Sequence, residues 1–322
     1  MSPSLSVVIP CYHSQDSVGL VVERLAEVLP TLTERYEVIL VEDGSADNTW
    51  GSIEACARRY PWVRGFRLMR NFGQHNALLC GLRQARHEII VTMDDDLQHP
   101  PEALALMLDA LGDYDVVYGS PQRERHGLLR DLASQVTKWV LQNAMGADTA
   151  QNISAYRLFR AQVCQAFLHY NGPYVNLDVL LTWGTKRFTR VTVEHRKRTI
   201  GRSNYTLSKL ITHTFNMLTG FSTFPLQLAS LLGFVLTAVG VALLIYILII
   251  RLILFGDYVV PGFTFLASIL TIFAGAQMFV LGIIGEYLAR MHFRLMDKPS
   301  FVLRQTTEQA AAEPAPAQET TP

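Results

Sequence analysis

The densest chemistry in the chain is a run of three carboxylates, Asp94-Asp95-Asp96, which follows the apolar stretch Ile89-Ile90-Val91 and leads into Leu97-Gln98-His99-Pro100-Pro101. Adjacent carboxylates repel one another, so either one is protonated or a cation shares them. Asp94 and Asp96 point the same way on an extended segment and can share one ion. Hard oxygen ligands favour Mg²⁺ or Mn²⁺, and Mg²⁺ is usually held by one or two carboxylates plus substrate phosphates. The plain alternative is a solvated acidic turn ahead of a helix. A second acidic cluster, Glu42-Asp43-Gly44-Ser45-Ala46-Asp47, suits hydrogen bonding to a ribose or a nucleobase N–H, while turn and cap roles explain Ser45 and Asp47 better than Asp43. Three further clusters suit anions. Segment 70–76 opens a helix whose amides favour negative charge; segment 119–126 carries Arg123 and Arg125 and is followed by Arg130 and Ser134; segment 195–205 carries Arg196, Lys197, Arg198 and Arg202. Arginines clamp phosphates, and some of these residues also suit attachment to anionic lipids.

These residues need strand ends to hold them. Short β-branched runs at 5–9, 37–41, 63–68, 88–93, 115–118 and 188–194 alternate with helical patterns at 17–29, 47–60, 74–85 and 101–111. That order predicts an α/β domain with a largely parallel sheet, in which ligands bind beyond the carboxyl ends of the strands. Neither G-x-G-x-x-G nor G-x-x-x-x-G-K-[ST] occurs, which removes the main support for a dinucleotide fold or a P-loop.

The rest of the chain is built for lipid. Of 322 residues 49% are apolar and 17% charged, too hydrophobic for an ordinary soluble protein. With 28 Lys+Arg against 28 Asp+Glu there is no global basic field, so nucleic acid is not an expected partner. Cys11, Cys56, Cys80 and Cys164 form no C-x-x-C and read as reduced, buried small hydrophobes. The N-terminus has no basic region followed by a long apolar run, so it reads as the first strand of a cytoplasmic domain.

Segments 226–250 and 264–285 are uncharged and long enough to cross a bilayer, the second extending to about 288 as a helix. Basic residues flank their outer ends (Arg196, Lys197, Arg198, Arg202 and Lys209 before; Arg290, Arg294, Lys298 and Arg304 after), whereas linker 251–263 has Arg251 alone. The positive-inside rule then puts both termini in the cytoplasm and the linker outside. Glu286 and Arg290, four residues apart, read as an interfacial ion pair rather than as catalytic groups. Segment 206–225 has apolar residues at helical spacing and predicts an amphipathic interfacial helix. The expected order is therefore a catalytic domain over 1–205, the interfacial helix, two transmembrane helices, a basic cytoplasmic segment over 289–305 and a disordered tail over 306–322.

SVVIPCY (6–12), VEDGS (41–45), RNFGQHNAL (70–78), MDDDLQHPPE (93–102), RxxGRSNY (198–205) and FSTFPLQL (221–228), followed by two spans, together resemble the polyprenyl-phosphate glycosyltransferases of glycosyltransferase family 2. That group includes dolichol-phosphate mannose synthase and the bacterial undecaprenyl-phosphate glucose and aminoarabinose transferases, and the resemblance covers residues 4 to 300. It implies a GT-A (Rossmann-like) domain and inverting transfer of one sugar from a nucleotide-sugar, by likeness to bacterial members a UDP-sugar, to a polyprenyl phosphate such as undecaprenyl phosphate. The product would be a lipid-linked sugar for cell-envelope glycans, made at the cytoplasmic face of the inner membrane. It further implies that Pro10, Tyr12 and Asp43, with Glu42, Ser45 and Asp95 close by, hold the nucleotide. Asp94, Asp96 and Gln98 would hold Mg²⁺ or Mn²⁺ and the diphosphate, with Asp94 and Asp96 central to catalysis, and Arg123, Arg130, Ser134 and Arg202 would bind the acceptor phosphate. Self-association into a homo-oligomer stays open.

The chain departs from relatives in two places. The first loop reads His13-Ser14-Gln15 where N-E-E is common, and segment 152–158 has Asn152 and no Asp before Tyr156-Arg157-Leu158. A phosphate monoester is already largely anionic at neutral pH, since its second pKa is about 6, so no general base is required to activate it. Two alternative readings fit the residues less well. A processive polysaccharide synthase would share the fold and carry Q-x-x-R-W, but Gln135-Val136-Thr137-Lys138-Trp139 has Lys for Arg and comes too early, and two spans are too few for a polymer channel. A non-catalytic membrane scaffold would not need the intact acidic cluster.

Overall fold

The computed structural model describes residues 3–121, 153–172, 175–194, 224–253 and 262–310. By internal contacts the chain divides into two units, 1–205 together with 297–322, and 206–296.

The first unit is built on β1 (Leu5–Cys11), whose seven residues are all buried. Leu5, Val7, Ile9 and Cys11 enter the core on one face, with α1 (Val18–Leu32), α2 (Thr49–Arg59) and α4 (Leu104–Leu111). Val8 enters the core on the other, with α3 (Gln74–Gln84) and α5 (Leu177–Gly184). A strand covered on both sides must be apolar on both faces, which is why it shows as a continuous apolar run. β2 (Tyr36–Glu42) and β4 (Ile89–Thr92) flank β1 in parallel, and β3 (Val63–Leu68) continues the parallel series beyond β2. β5 (Val116–Pro121) and β7 (Phe188–Val193) pair in parallel at the far side.

The sheet is largely parallel, as expected, and two antiparallel strands join it. β6 (Arg157–Arg160) lies between β4 and β5, and β8 (Leu303–Thr306) lies at the edge beside β3, giving the order β7-β5-β6-β4-β1-β2-β3-β8. β8 closes at Thr306 and α8 (Thr307–Ala310) follows, so residues 306–310 are structured, where disorder was expected from 306. The physical reason is a set of partners distant in sequence. Thr307 Oγ1 accepts from Gly65 N at 3.0 Å, and Glu308 pairs with Arg64 at 2.8 Å and Arg86 at 3.1 Å. Gly65 permits this approach, since a Cβ there would lie 2.5 Å from Ile53 and 2.8 Å from Thr307. These ion pairs hold the Glu308 carboxyl below its usual range.

The second unit contains α6 (Phe224–Ile253) and α7 (Gly262–Leu295), both apolar enough over at least 18 residues to cross a membrane. α6 begins at Phe224 with Pro225 second, a position that tolerates proline's missing N–H, so the last two residues of the expected interfacial helix belong to α6. Residues 206–223 lie outside the described residues. α7 has 34 residues, about 51 Å of helix at 1.5 Å per residue, and so runs past 288 into the segment expected to be separate. Arg290 and Glu286 pair on it at 2.6 Å, as their spacing predicts.

Candidate active site

β2, β1 and β4 are neighbours in the sheet, and their carboxyl ends bring the predicted acidic clusters together. A cavity of about 230 Å³ opens there, lined by Pro10, Cys11 and Tyr12 from β1 and its exit, Asp43 after β2, and Asp94, Asp95 and Asp96 after β4. Asn71, Gly73 and Gln74 close its remaining side. A larger cavity of about 500 Å³ lies at the opposite end of the sheet, near Pro3, His87 and Glu88. The smaller one is the candidate site, because ligands of such sheets bind at the carboxyl ends and the charged groups converge there.

Asp43 is buried and accepts from two consecutive amides, Phe72 N at 2.7 Å and Gly73 N at 2.8 Å. Burial nevertheless pushes its carboxyl up to about 6 against those two bonds, with Glu42 adding to the rise and Arg70 opposing it. Gly44, at φ 66°, allows loop 70–71 to pack on the turn: a Cβ at 44 would lie 2.3 Å from Asn71 N. Glu42 was expected beside the nucleotide but does not line the cavity. Its buried carboxylate accepts from Ser45 N and, at 3.0 Å, from Arg67 Nε, bonds that brace the turn. Ser45 likewise stays outside the lining, accepting from His13 N at 3.1 Å. The Asp47 carboxylate accepts from Thr49 Oγ1 at 2.7 Å, tying loop to helix start.

After β4, Asp94 Oδ1 accepts from Gln74 Nε2 at 2.7 Å, Asp95 Oδ2 accepts from Ser14 Oγ, and Asp96 Oδ1 accepts from Gln98 N at 3.1 Å. Gln98 contributes that backbone bond and does not line the cavity. Among the described residues no three His, Cys, Asp or Glu side chains gather closely enough to hold a metal by themselves. One or two carboxylates facing a cavity could still form part of a site for Mg²⁺, an ion usually held by that number together with substrate phosphates. Arg123, Arg130, Ser134 and Arg202 lie outside the described residues, as does Asn152.

Behind the carboxylates lies a buried network that sequence reading missed. Arg157 on β6 makes a bidentate pair with Asp178 on α5, Nε to Oδ1 at 2.6 Å and Nη2 to Oδ2 at 2.9 Å. Tyr118 O–H donates to the same carboxylate at 3.0 Å, and Arg157 Nη1 reaches Thr92 Oγ1, at the end of β4, at 3.3 Å. Burial alone would raise the Asp178 carboxyl, but the Arg157 guanidinium outweighs it and leaves the group below its usual range. For Arg157 burial opposes the charge and Asp178 more than restores it. Segment 70–76 proves structural as well as polar: His75 Nδ1 accepts from Leu177 N at 3.2 Å and Asn76 Nδ2 donates to Phe72 O at 2.6 Å. All four cysteines are buried and free, as expected, and burial pushes the Cys80 and Cys164 thiols up to about 12.

Residues 6–168 match the family described as glycosyl transferase family 2. The undecaprenyl-phosphate 4-deoxy-4-formamido-L-arabinose transferase of Yersinia enterocolitica is 32% identical over 302 residues, covering 93% of this chain and 92% of that protein. Among solved structures, mannosyl-3-phosphoglycerate synthase from Rubrobacter xylanophilus matches with a TM-score of 0.52 at 15% identity, covering 67% of this chain and 73% of that one. Glucosyl-3-phosphoglycerate synthase from Mycobacterium tuberculosis, in complex with Mn²⁺ and UDP-glucose, matches at 0.51 and 16% identity, covering 67% and 77%. These structural likenesses concern the fold.

Proposed function

The chain belongs to glycosyl transferase family 2 and is a glycosyltransferase, and from that premise we propose that it transfers a single sugar, with inversion, from a UDP-sugar to a polyprenyl phosphate at the cytoplasmic face of a membrane. The observation that carries this reading is the convergence of Asp43, Asp94 and Asp96 on one cavity, in a chain that also has two helices apolar enough to span a bilayer. The name of the Yersinia relative supports undecaprenyl phosphate as acceptor, and the Mn²⁺–UDP-glucose complex of the mycobacterial enzyme supports the donor class. The direct check is UDP release. It is expected to depend on added undecaprenyl phosphate, and equal release without any lipid acceptor would contradict the proposal.

In this reading Pro10, Tyr12 and Asp43 hold the nucleoside, with Asp95 beside them, and Asp94 and Asp96 hold Mg²⁺ or Mn²⁺ against the donor diphosphate. The bound ion supplies neutralisation of the charge that develops on the departing diphosphate. An acceptor phosphate oxygen forms a bond to the anomeric carbon from the opposite side while the carbon–oxygen bond to the diphosphate breaks and its electron pair leaves with UDP. No proton has to be removed from a phosphate dianion, so Asn152 in place of an Asp is no obstacle.

Two titrations near pH 6 then affect different parameters. Asp43 carries its proton more readily here than in the unfolded chain, so the charge it needs to hold the loop amides and a nucleoside is lost as pH falls through about 6. Donor affinity is expected to weaken over that range, and Asp43→Asn is expected to remove the dependence as measured by binding of a UDP-sugar, whose esterified diphosphate, unlike that of free UDP, has no group titrating near about 6; an unchanged profile in the variant would assign it elsewhere. With donor saturating, single-turnover transfer is expected to fall on acidification with an apparent pKa at or below about 6, set by the acceptor phosphate and neighbouring arginines. Arg130→Ala is expected to shift that value upward, and Asn152→Ala to leave it in place. A profile flat from about pH 5 to 8 with chemistry rate-limiting contradicts the base-free step.

The proposed topology is a hairpin with both flanks cytoplasmic and 251–263 outside. Its support is the basic-residue bias and a topological constraint. Residues 303–310 belong to the same sheet unit as residues 3–194, so a chain that crosses a bilayer between them crosses an even number of times. The native cysteines are buried and give little background. A Cys placed at Asp257 is therefore expected to react with an impermeant thiol reagent in intact cells; reaction only after lysis overturns the orientation.

A further inference from the structure

The nucleoside carboxylate and a metal carboxylate of the proposed site are joined by three consecutive residues. Phe72 N and Gly73 N donate to the two oxygens of Asp43, and the next residue, Gln74, donates from Nε2 to Asp94 Oδ1 at 2.7 Å. Asp43 follows β2 and Asp94 follows β4, with β1 between them, so this segment bridges two strand spacings, about 10 Å. Gly73, at φ 96°, makes the turn that lets the amide serve one carboxylate and the following side chain the other. Gln74 is also the first residue of α3, whose buried Ala77, Leu78 and Leu79 fix the helix against the sheet.

We propose that Gln74 is a positioning residue for Asp94: its amide holds Oδ1 and so turns the other carboxylate oxygen toward the metal of the donor complex. The need for such a group follows from side-chain freedom. The last torsion of an aspartate is broad, so an unassisted carboxylate samples many planes and meets an ion in few of them. A neutral amide fixes the plane without cancelling the charge that attracts the ion. A cation in the same place would fix it equally well and compete with the metal. Partners of this kind behind metal ligands are worth about 10–100-fold in metal affinity elsewhere.

This inference rests on the proposed role of Asp94 as a metal ligand, and the experiment separates the two. Mn²⁺ affinity is measured on the purified full chain with UDP present, by the electron paramagnetic resonance signal of free Mn²⁺. Gln74→Met, which keeps size and loses the donor, is expected to weaken Mn²⁺ binding by about tenfold, and Gln74→Lys by about 100-fold. Gln74 is solvent-exposed, so neither change is expected to move the melting temperature, which a packing role would do. Asp94→Asn is run alongside. If it loses Mn²⁺ while both Gln74 variants bind within about twofold of the native chain, Gln74 does not position Asp94 and the metal reading stands. If Gln74→Lys binds no more weakly than Gln74→Met, the role assigned to amide neutrality is wrong. Native-like Mn²⁺ binding by Asp94→Asn overturns the inference together with the reading beneath it.

Discussion

Asp94→Asn and Asp96→Asn are each expected to lower sugar transfer by at least about 10²–10³-fold, the range seen when a group that stabilises transition-state charge is removed. Both carboxylates line the cavity beyond β4, and each keeps a neutral hydrogen-bond donor, Gln74 or the amide of Gln98. An Asn at either position preserves size while removing the charge that would hold a divalent ion beside the leaving diphosphate. Chelation is expected to reproduce the loss, and added Mg²⁺ or Mn²⁺ to restore it in the native chain. Full activity in saturating chelator would contradict the metal assignment even if the substitutions were inactivating.

The second large effect concerns stability. Arg157 and Asp178 are each about 5% exposed as side chains, and their bidentate pair joins β6 to α5 immediately behind β4. Removing one partner leaves an uncompensated buried charge, which costs about 3–5 kcal/mol. Asp178→Ala or Arg157→Ala is therefore expected to lower the thermal midpoint of the full chain in detergent by roughly 6–20 °C, taking about 2–4 °C per kcal/mol for a domain of this size. Replacing both with apolar residues of similar volume should recover much of the loss. Because Asp178 sits below its unfolded pKa, the pair's contribution is present above the usual carboxylate range and disappears as pH falls through the folded value. A single substitution that unfolds at the native midpoint would show the pair to be dispensable.

That pair also explains why part of the fold could not be read from the sequence. β1, β2 and β4 are apolar on both faces and announce themselves; β6 reads Arg-Leu-Phe-Arg, and its first arginine is tolerable in a buried strand only because Asp178 lies 21 residues further on. β8, Leu-Arg-Gln-Thr, has no pattern of its own and becomes a strand through pairing with β3. Of the residues expected in the candidate site, Pro10, Tyr12, Asp43 and Asp94–Asp96 do line the cavity, because Pro10 sits at the carboxyl end of a legible strand and the others follow one. Glu42, Ser45 and Gln98 shared the same neighbourhood in sequence but are turned to bracing the turns or fall outside the lining. Gln74 was visible only as part of a polar cluster, since its contact with Asp94 exists only once 72–74 bridges across β1. The acceptor-side arginines, Arg123, Arg130 and Arg202, lie outside the described residues and rest on the sequence resemblance.

The central claim is single-sugar transfer to a lipid phosphate, and the mass of the lipid product tests it most directly. The purified full chain is incubated with undecaprenyl phosphate, Mn²⁺ and a panel of UDP-sugars, and the organic-extractable product is weighed by mass spectrometry. The account predicts, for one donor of the panel, a species equal to undecaprenyl phosphate plus one glycosyl residue, absent when Asp94 is Asn. A polymer, free sugar released at the same rate without lipid, or a lipid product carrying a sugar phosphate would contradict it.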